Sequence, residues 1–251
     1  MKNFRVETYL SFLSNILDYI EKGFEQVYLE EVCNVKIVIK SYGIEKSYAK
    51  WFLIKTLNLP ARLYPFVMNP YQRIQRELDF SEEHYKLGIV PKIVLVDWIG
   101  KKIVKEYVDG TIIDPRELTN IEMVAEALSI IHDNSYAIGD SKYSNFMRKN
   151  SKIVIVDAEQ AIRTENPHYM FWDLIVFLST IITRLIYGYS KFRGLDNIIE
   201  SFLNCYFEKC SRALDVYQSS RNAKYRLATY ALIPYPFNLK FLSTINRFIR
   251  K

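Results

Sequence analysis

The sequence predicts an α+β protein, with strands gathered in the first half of the chain and amphipathic helices in the second. Three observations predict it. Short β-branched runs at 34–42, 92–96 and 102–107 precede residue 108. Helical periodicity dominates 119–131 and 195–217. Between these regions, 138–159 reads IGDSKYSNFMRKNSKIVIVDAE, a hairpin-like stretch rich in oxygen donors.

The N-terminal elements come first. Val6, Tyr9, Leu10, Leu13, Ile16, Leu17 and Ile20 recur at helical spacing, so 4–20 is expected to form an amphipathic helix packed on the neighbouring domain. Strand-like runs occupy 24–29 and 34–42. In the second, Val35, Ile37 and Ile39 alternate with Lys36, Val38 and Lys40, which puts Lys40 on the opposite face from the first three. Taken alone, Lys40 reads as a solvated strand lysine.

Pro60, Pro65 and Pro70 divide 43–73 into a helix of about 15 residues and an irregular arm. Helical pattern resumes from Tyr71 and carries Glu77, which reads by itself as an exposed acid beside Arg73 and Arg76. Gly88 and Pro91 close that helix and open the strand 92–96; the strand 102–107 ends in EYVDG.

Thr119 and Glu122 have capping-box spacing, and the helix they would start places Ile121, Val124, Ala125, Leu128 and Ile131 on one face. His132 at its end reads as a packed core imidazole. In the central stretch, Asn150-Ser151 is a turn between the strands 146–149 and 152–156. Such a hairpin holds Asn145 and Asp157 at one mouth, with Asp140 on the loop leading in. Two carboxylates and a carboxamide are the donor types that a Mg²⁺–nucleotide complex takes. As isolated residues they would be ordinary turn formers; their joint spacing favours the site.

Composition narrows the alternatives. The 251 residues suit one large domain or two modest lobes, and 49% hydrophobic with 25% charged residues is ordinary for a globular chain. Cys33, Cys205 and Cys210 lack metal-like spacing, and no Ser/Cys/His constellation stands out, so zinc and hydrolase chemistry are set aside. The apolar stretch 171–187 is broken by Asp173, Ser179, Thr180, Thr183 and Arg184, against a transmembrane span; Glu7 interrupts any signal-like core. A cytoplasmic protein is the expectation. Of the net +6, seven charges fall in 216–251, which has no Asp or Glu, leaving the rest at −1. That basic tail, with Tyr225, Tyr230, Tyr235, Phe237, Phe241 and Phe248 interleaved, could meet RNA or another anionic surface, or simply pack as a helix pair.

The order of these parts resembles the protein-kinase-like superfamily. Asp140, Asn145 and Asp157 match its catalytic-loop Asp, the Asn five residues on, and the metal-binding Asp after a strand. The words VIKSY are similar to the strand motif V-A-I-K, EYVDG to the hinge between lobes, and Asp173 in FWDLIVFL to a buried helix aspartate that fixes the catalytic loop. The flavour is that of the KEOPS-associated and RIO kinases and of lipopolysaccharide kinases, the last of which share a long insert like 46–70.

The resemblance implies two lobes, 21–107 and 108–251, with 1–20 as a leading helix and ATP bound between the lobes. It implies Lys40 and Glu77 as the phosphate-positioning pair, Gly23 in the phosphate cover, and Glu106, Tyr107 and Val108 at the adenine edge. Asn145 and Asp157 would bind Mg²⁺, with Asp140 and Lys142 acting in catalysis. The implied activity is transfer of the γ-phosphoryl group of Mg-ATP to a hydroxyl, as an atypical serine/threonine protein kinase. A small-molecule or sugar kinase of the lipopolysaccharide type, and an inactive scaffold with an RNA-binding tail, are the alternatives. Departures are the missing G-x-G-x-x-G, Ile138 in place of the usual His, and Asp157-Ala158-Glu159 where D-F-G is expected. Only 16 positions separate Asp157 from Asp173, too few for a long activation loop.

Overall fold

The computed structural model describes residues 27–32, 34–42, 63–189 and 193–250. The helix expected at 4–20, Gly23, and most of the 46–70 insert, including the helix expected there, lie outside the described residues.

The first half is a four-stranded antiparallel sheet in the order β1 (Val27–Val32), β2 (Val35–Ser41), β4 (Lys102–Glu106), β3 (Ile93–Asp97). Register decides which side chains share a face, because directly paired residues point the same way. Lys40 pairs with Ile103 and Val38 with Lys105. The two lysines therefore project from the same face as Ile103. Helix α1 (Pro70–His84) comes after the arm. It starts where the chain supplies its own cap: the Asn69 side chain accepts from Tyr71 N at 2.9 Å, and Pro70 occupies the first turn. Gly88, at φ 73°, ends the 3₁₀ turn beyond it and frees the chain to enter β3.

Ile74 of α1 joins Tyr42 and Ile103 in a small core, whereas Phe80, two turns on, belongs to the large core below. One helix thus ties two cores together. The large core is built by α2 (Leu118–Asp133), α3 (Pro167–Gly188) and α4 (Leu195–Lys209), with α5 (Ala213–Gln218), α6 (Ala223–Leu232) and α7 (Phe237–Ile249) around them. The expected apolar face of α2 is fully buried. The central hairpin forms as β7 (Phe146–Lys149) and β8 (Lys152–Ile155), flanked by β5 (Thr111–Ile112); β6 (Tyr136–Ala137) pairs with β9 (Ile162–Arg163). Asn150 makes its turn at φ 55°, a conformation that Asn tolerates.

Two expectations are corrected. Helix α2 begins at Leu118 with Glu117 as N-cap, so the Thr119–Glu122 capping box does not form. The Asp114–Glu117 turn, closed by Glu117 N to Asp114 O at 3.2 Å, starts the helix earlier. The single helix expected over 195–217 is two helices. Asp133 accepts from Ser211 N at 3.1 Å and from its hydroxyl at 2.8 Å, and the chain is extended at Cys210. A contact 78 positions away outweighs local propensity there.

Among the described residues one helix, Pro167–Gly188, is long and apolar enough to cross a membrane, and most of it is buried inside the protein. In the basic tail, Tyr225 and Phe241 are core residues, while Lys240 and Arg247 both pair with Glu200, at 2.6 and 3.0 Å. The tail is packed helices.

Candidate active site

The site assembles on Lys40. Its alternation in β2 turns it inward, where it is 3% exposed. Its ammonium meets three carboxylates: Asp157 Oδ1 at 2.6 Å, Glu77 Oε2 at 2.9 Å and Glu159 Oε2 at 3.0 Å. Glu77 arrives from α1, 37 positions on, and Asp157 from the end of β8, 117 positions on. Burial alone would push Lys40 towards losing its proton; Asp157, Glu159 and Glu77 outweigh it and hold the amine well above its ordinary value. Burial likewise pushes Glu77 and Asp157 up, but Lys105 and Lys40 reverse this for Glu77. Lys40 and Lys142 reverse it for Asp157, whose carboxyl sits well below the usual range.

Four members of this cluster were not expected. Lys105 pairs with Glu77 Oε1 and donates to the Val156 carbonyl at 2.7 Å. Arg73 reaches Glu159 at 2.6 Å, and the Tyr42 hydroxyl donates to Glu77. Lys40, Arg73 and Lys105 thus face Glu77, Asp157 and Glu159, three cations to three anions, as burial of charge requires. The sequence held signals for two of them. Arg73 lies one helical turn before Glu77 on the same stripe, and Lys105 is two strand positions from buried Ile103.

Below the sheet lies a cleft of about 270 Å³. Val27, Val38, Pro91, Met147 and Val156 give it apolar walls; Lys40, Lys105, Asn145 and Asp157 supply polar groups, and Glu106, Tyr107 and Val108 form an edge. Apolar walls with a few convergent polar groups are what a flat, charged ligand needs. Of the residues singled out in the sequence, the cleft brings together Lys40, Asn145, Asp157 and 106–108, with Glu77 directly behind.

Asp140 and Lys142 belong to the adjoining loop. Lys142 Nζ is 3.7 Å from the Asp140 carboxylate, and Asn145 Nδ2 donates to the Asp140 carbonyl at 2.7 Å. The loop is anchored from below by Asp173, fully buried in the second turn of α3. It accepts from Ile138 N and Gly139 N, both at 2.7 Å. Its other neighbour is His132 Nε2 at 3.3 Å. Gly139 is required here: its φ is 79°, and a Cβ would collide with the Tyr64 ring.

For a divalent ion, the donor set fits in one place. The carboxylate oxygens of Glu77, Asp157 and Glu159 lie within 4.8 Å of one another, but the Lys40 ammonium already fills the space among them. Asp157 is 25% exposed, against 4% and 3% for Glu77 and Glu159, and it lines the cleft with Asn145, whose side-chain oxygen is of the type a divalent ion takes.

This is the two-lobed α+β architecture of protein-kinase-like proteins: a small antiparallel sheet with one helix, a helical second lobe, and a cleft between. The crystal structure of choline kinase LicA from Streptococcus pneumoniae matches with a TM-score of 0.50 at 14% identity, covering 96% of this chain and 100% of that one. An ethanolamine kinase from Plasmodium vivax gives 0.48 at 10% identity, covering 97% and 89%. WaaP in complex with acyl carrier protein gives 0.45 at 14%, covering 85% and 91%. At such identities likeness establishes fold only, and the first of these carries it. No protein-family model and no curated protein matches the sequence.

Proposed function

We propose that the chain is an ATP-dependent phosphotransferase that passes a phosphoryl group to the hydroxyl of a small molecule. The observation that carries this reading is the meeting of Lys40 with both Glu77 and Asp157 at the wall of an apolar cleft. Lys40 would hold the nucleotide's phosphates, while Glu106 to Val108 offer backbone groups to the adenine edge. Asn145 and Asp157 would hold Mg²⁺, which supplies charge neutralisation to the phosphates when bound. Asp140 would orient the acceptor hydroxyl and take its proton, and Lys142 would offset charge on the transferred group. The lobes we assign divide at 107–108, and a cytoplasmic setting, where ATP is supplied, suits the reading.

Two observations favour a small acceptor over the serine/threonine protein acceptor expected first. One structure whose fold this chain shares, at a TM-score of 0.50, is named a choline kinase. The segment after Asp157 is also tied down: Gln160 exchanges two bonds of 2.9 Å with the Val67 backbone, and Tyr64 donates to Gln160 O at 2.9 Å. A segment so held gives little edge for an extended peptide to lie along. The protein acceptor keeps the support of Lys142 beside Asp140. Labelled ATP offered with a panel of amino alcohols, sugars, sugar-lipid cores and protein substrates separates the two. Label entering a small hydroxyl compound is the expected outcome; label only in protein would restore the protein-kinase reading, and none anywhere would favour the inactive scaffold.

A further inference from the structure

We propose that Lys105 is a positioning residue for this phosphoryl transfer, bracing Glu77 and the strand end before Asp157 so that the site stays assembled without a switching loop. The inference rests on the phosphotransferase reading and deepens it.

Lys105 is the penultimate residue of β4, one step before the edge formed by 106–108. It lines the back of the cleft and is almost wholly buried. Its ammonium joins three separate elements: its own strand, α1 through Glu77 Oε1, and the end of β8 through the Val156 carbonyl at 2.7 Å. The other oxygen of Glu77 takes Lys40. Glu77 is thereby divided between the two lysines, one oxygen to each. Val156 N, in turn, donates to Asn145 O at 3.0 Å, so its peptide neighbourhood is fixed on both sides. Without Lys105, Glu77 could swing wholly onto Lys40 and draw it from the cleft. The carbonyl preceding Asp157, half-buried at the cleft wall, would lose its donor. The place where a Phe switch would act is taken here by Ala158, and Glu159 next to it is fastened to Arg73. Ionic braces replace a movable aromatic.

The test uses the full chain as Lys105→Met, Glu77→Gln and the double variant. Phosphate release from Mg-ATP and amide hydrogen exchange over 156–161 are measured, the latter without nucleotide. Expected for Lys105→Met are a kcat lowered about tenfold or more at nearly unchanged KM for ATP, and faster exchange over 156–161 with Pro167–Gly188 unchanged. The double variant should lose clearly less than the product of the two single losses, since the Lys105–Glu77 contact is common to both. Wild-type kcat and exchange in Lys105→Met, or multiplicative losses in the double variant, would overturn the proposal. If Lys105→Met does not fold, Lys105→Gln replaces it; this keeps an N–H for Val156 but no charge for Glu77. It should show near-native exchange with lowered phosphate release, and wild-type release in it would overturn the brace. A wild-type chain that neither binds nor hydrolyses Mg-ATP removes the phosphotransferase reading, and the exchange data then judge the brace alone.

Discussion

Lys40 Nζ lies 2.6 Å from Asp157 Oδ1, across 117 positions of sequence. The contact joins the sheet of the first lobe to the hairpin of the second, and its strength comes from burial: in a low-dielectric setting each partner keeps the other charged.

Removing the lysine should therefore be costly in two ways. Lys40→Met leaves Glu77, Asp157 and Glu159 to share two cations, and breaking a buried pair costs about 3–5 kcal/mol. Urea unfolding should show a loss of that order, and a fluorescent ATP analogue should no longer bind. A variant of wild-type stability would mean that the carboxylates are neutral, contrary to the geometry.

Glu159 should matter for the same reason, though less for catalysis. Glu159→Gln removes the charge facing Arg73 and Lys40. A stability loss of about 3 kcal/mol by chemical denaturation is expected. Nucleotide affinity should fall far less than in Lys40→Met, because the Lys40–Glu77 pair remains.

Acid and alkali should act on opposite members of the cluster. The stability that Glu77 and Asp157 confer is fully present above about pH 4.5, where both are ionised in the unfolded chain. It is lost as pH falls through their depressed folded values. Lys40 behaves inversely: its contribution is present below about pH 10.5 and is lost as pH rises through its raised folded value. Denaturation midpoints measured from pH 2 to 11 should therefore show a plateau bounded on both sides, with the acid limb shallower in Glu77→Gln. A midpoint that rises steadily towards acid would contradict the charge assignments.

Asp173 should prove to be an anchor. Asp173→Asn keeps the shape but offers one carbonyl oxygen where the carboxylate accepts from Ile138 N and Gly139 N. One buried N–H then loses its acceptor, at about 2 kcal/mol. Phosphoryl transfer should fall with little change in ATP affinity, as measured by turnover and equilibrium binding side by side.

What can be read from the residues alone depends on the range of the interaction. The hairpin with Asn145 and Asp157 at its mouth is set by local turn chemistry and β-branched residues, so it is legible. The alternation of β2 assigns a face to Lys40, though not the burial of that face. For Lys105 and Arg73 the periodicity gives only a shared face, with Ile103 and with Glu77; their roles come from partners dozens of positions away. Glu159 stands out only as a departure from D-F-G, because nothing near it in sequence foretells Arg73 as its partner. Thr119 and the 195–217 helix mislead for a related reason. A turn at Asp114 and a carboxylate at Asp133 settle those boundaries from outside the windows in which propensity is read.

The most direct measurement is isothermal titration of the wild-type chain and of Asp157→Asn with a non-hydrolysable ATP analogue, with and without Mg²⁺. The wild type is expected to bind about tenfold or more tightly when Mg²⁺ is present, and the variant to bind equally with and without it. Wild-type binding indifferent to Mg²⁺, or no binding at all, would contradict the placing of the metal and its nucleotide at Asp157.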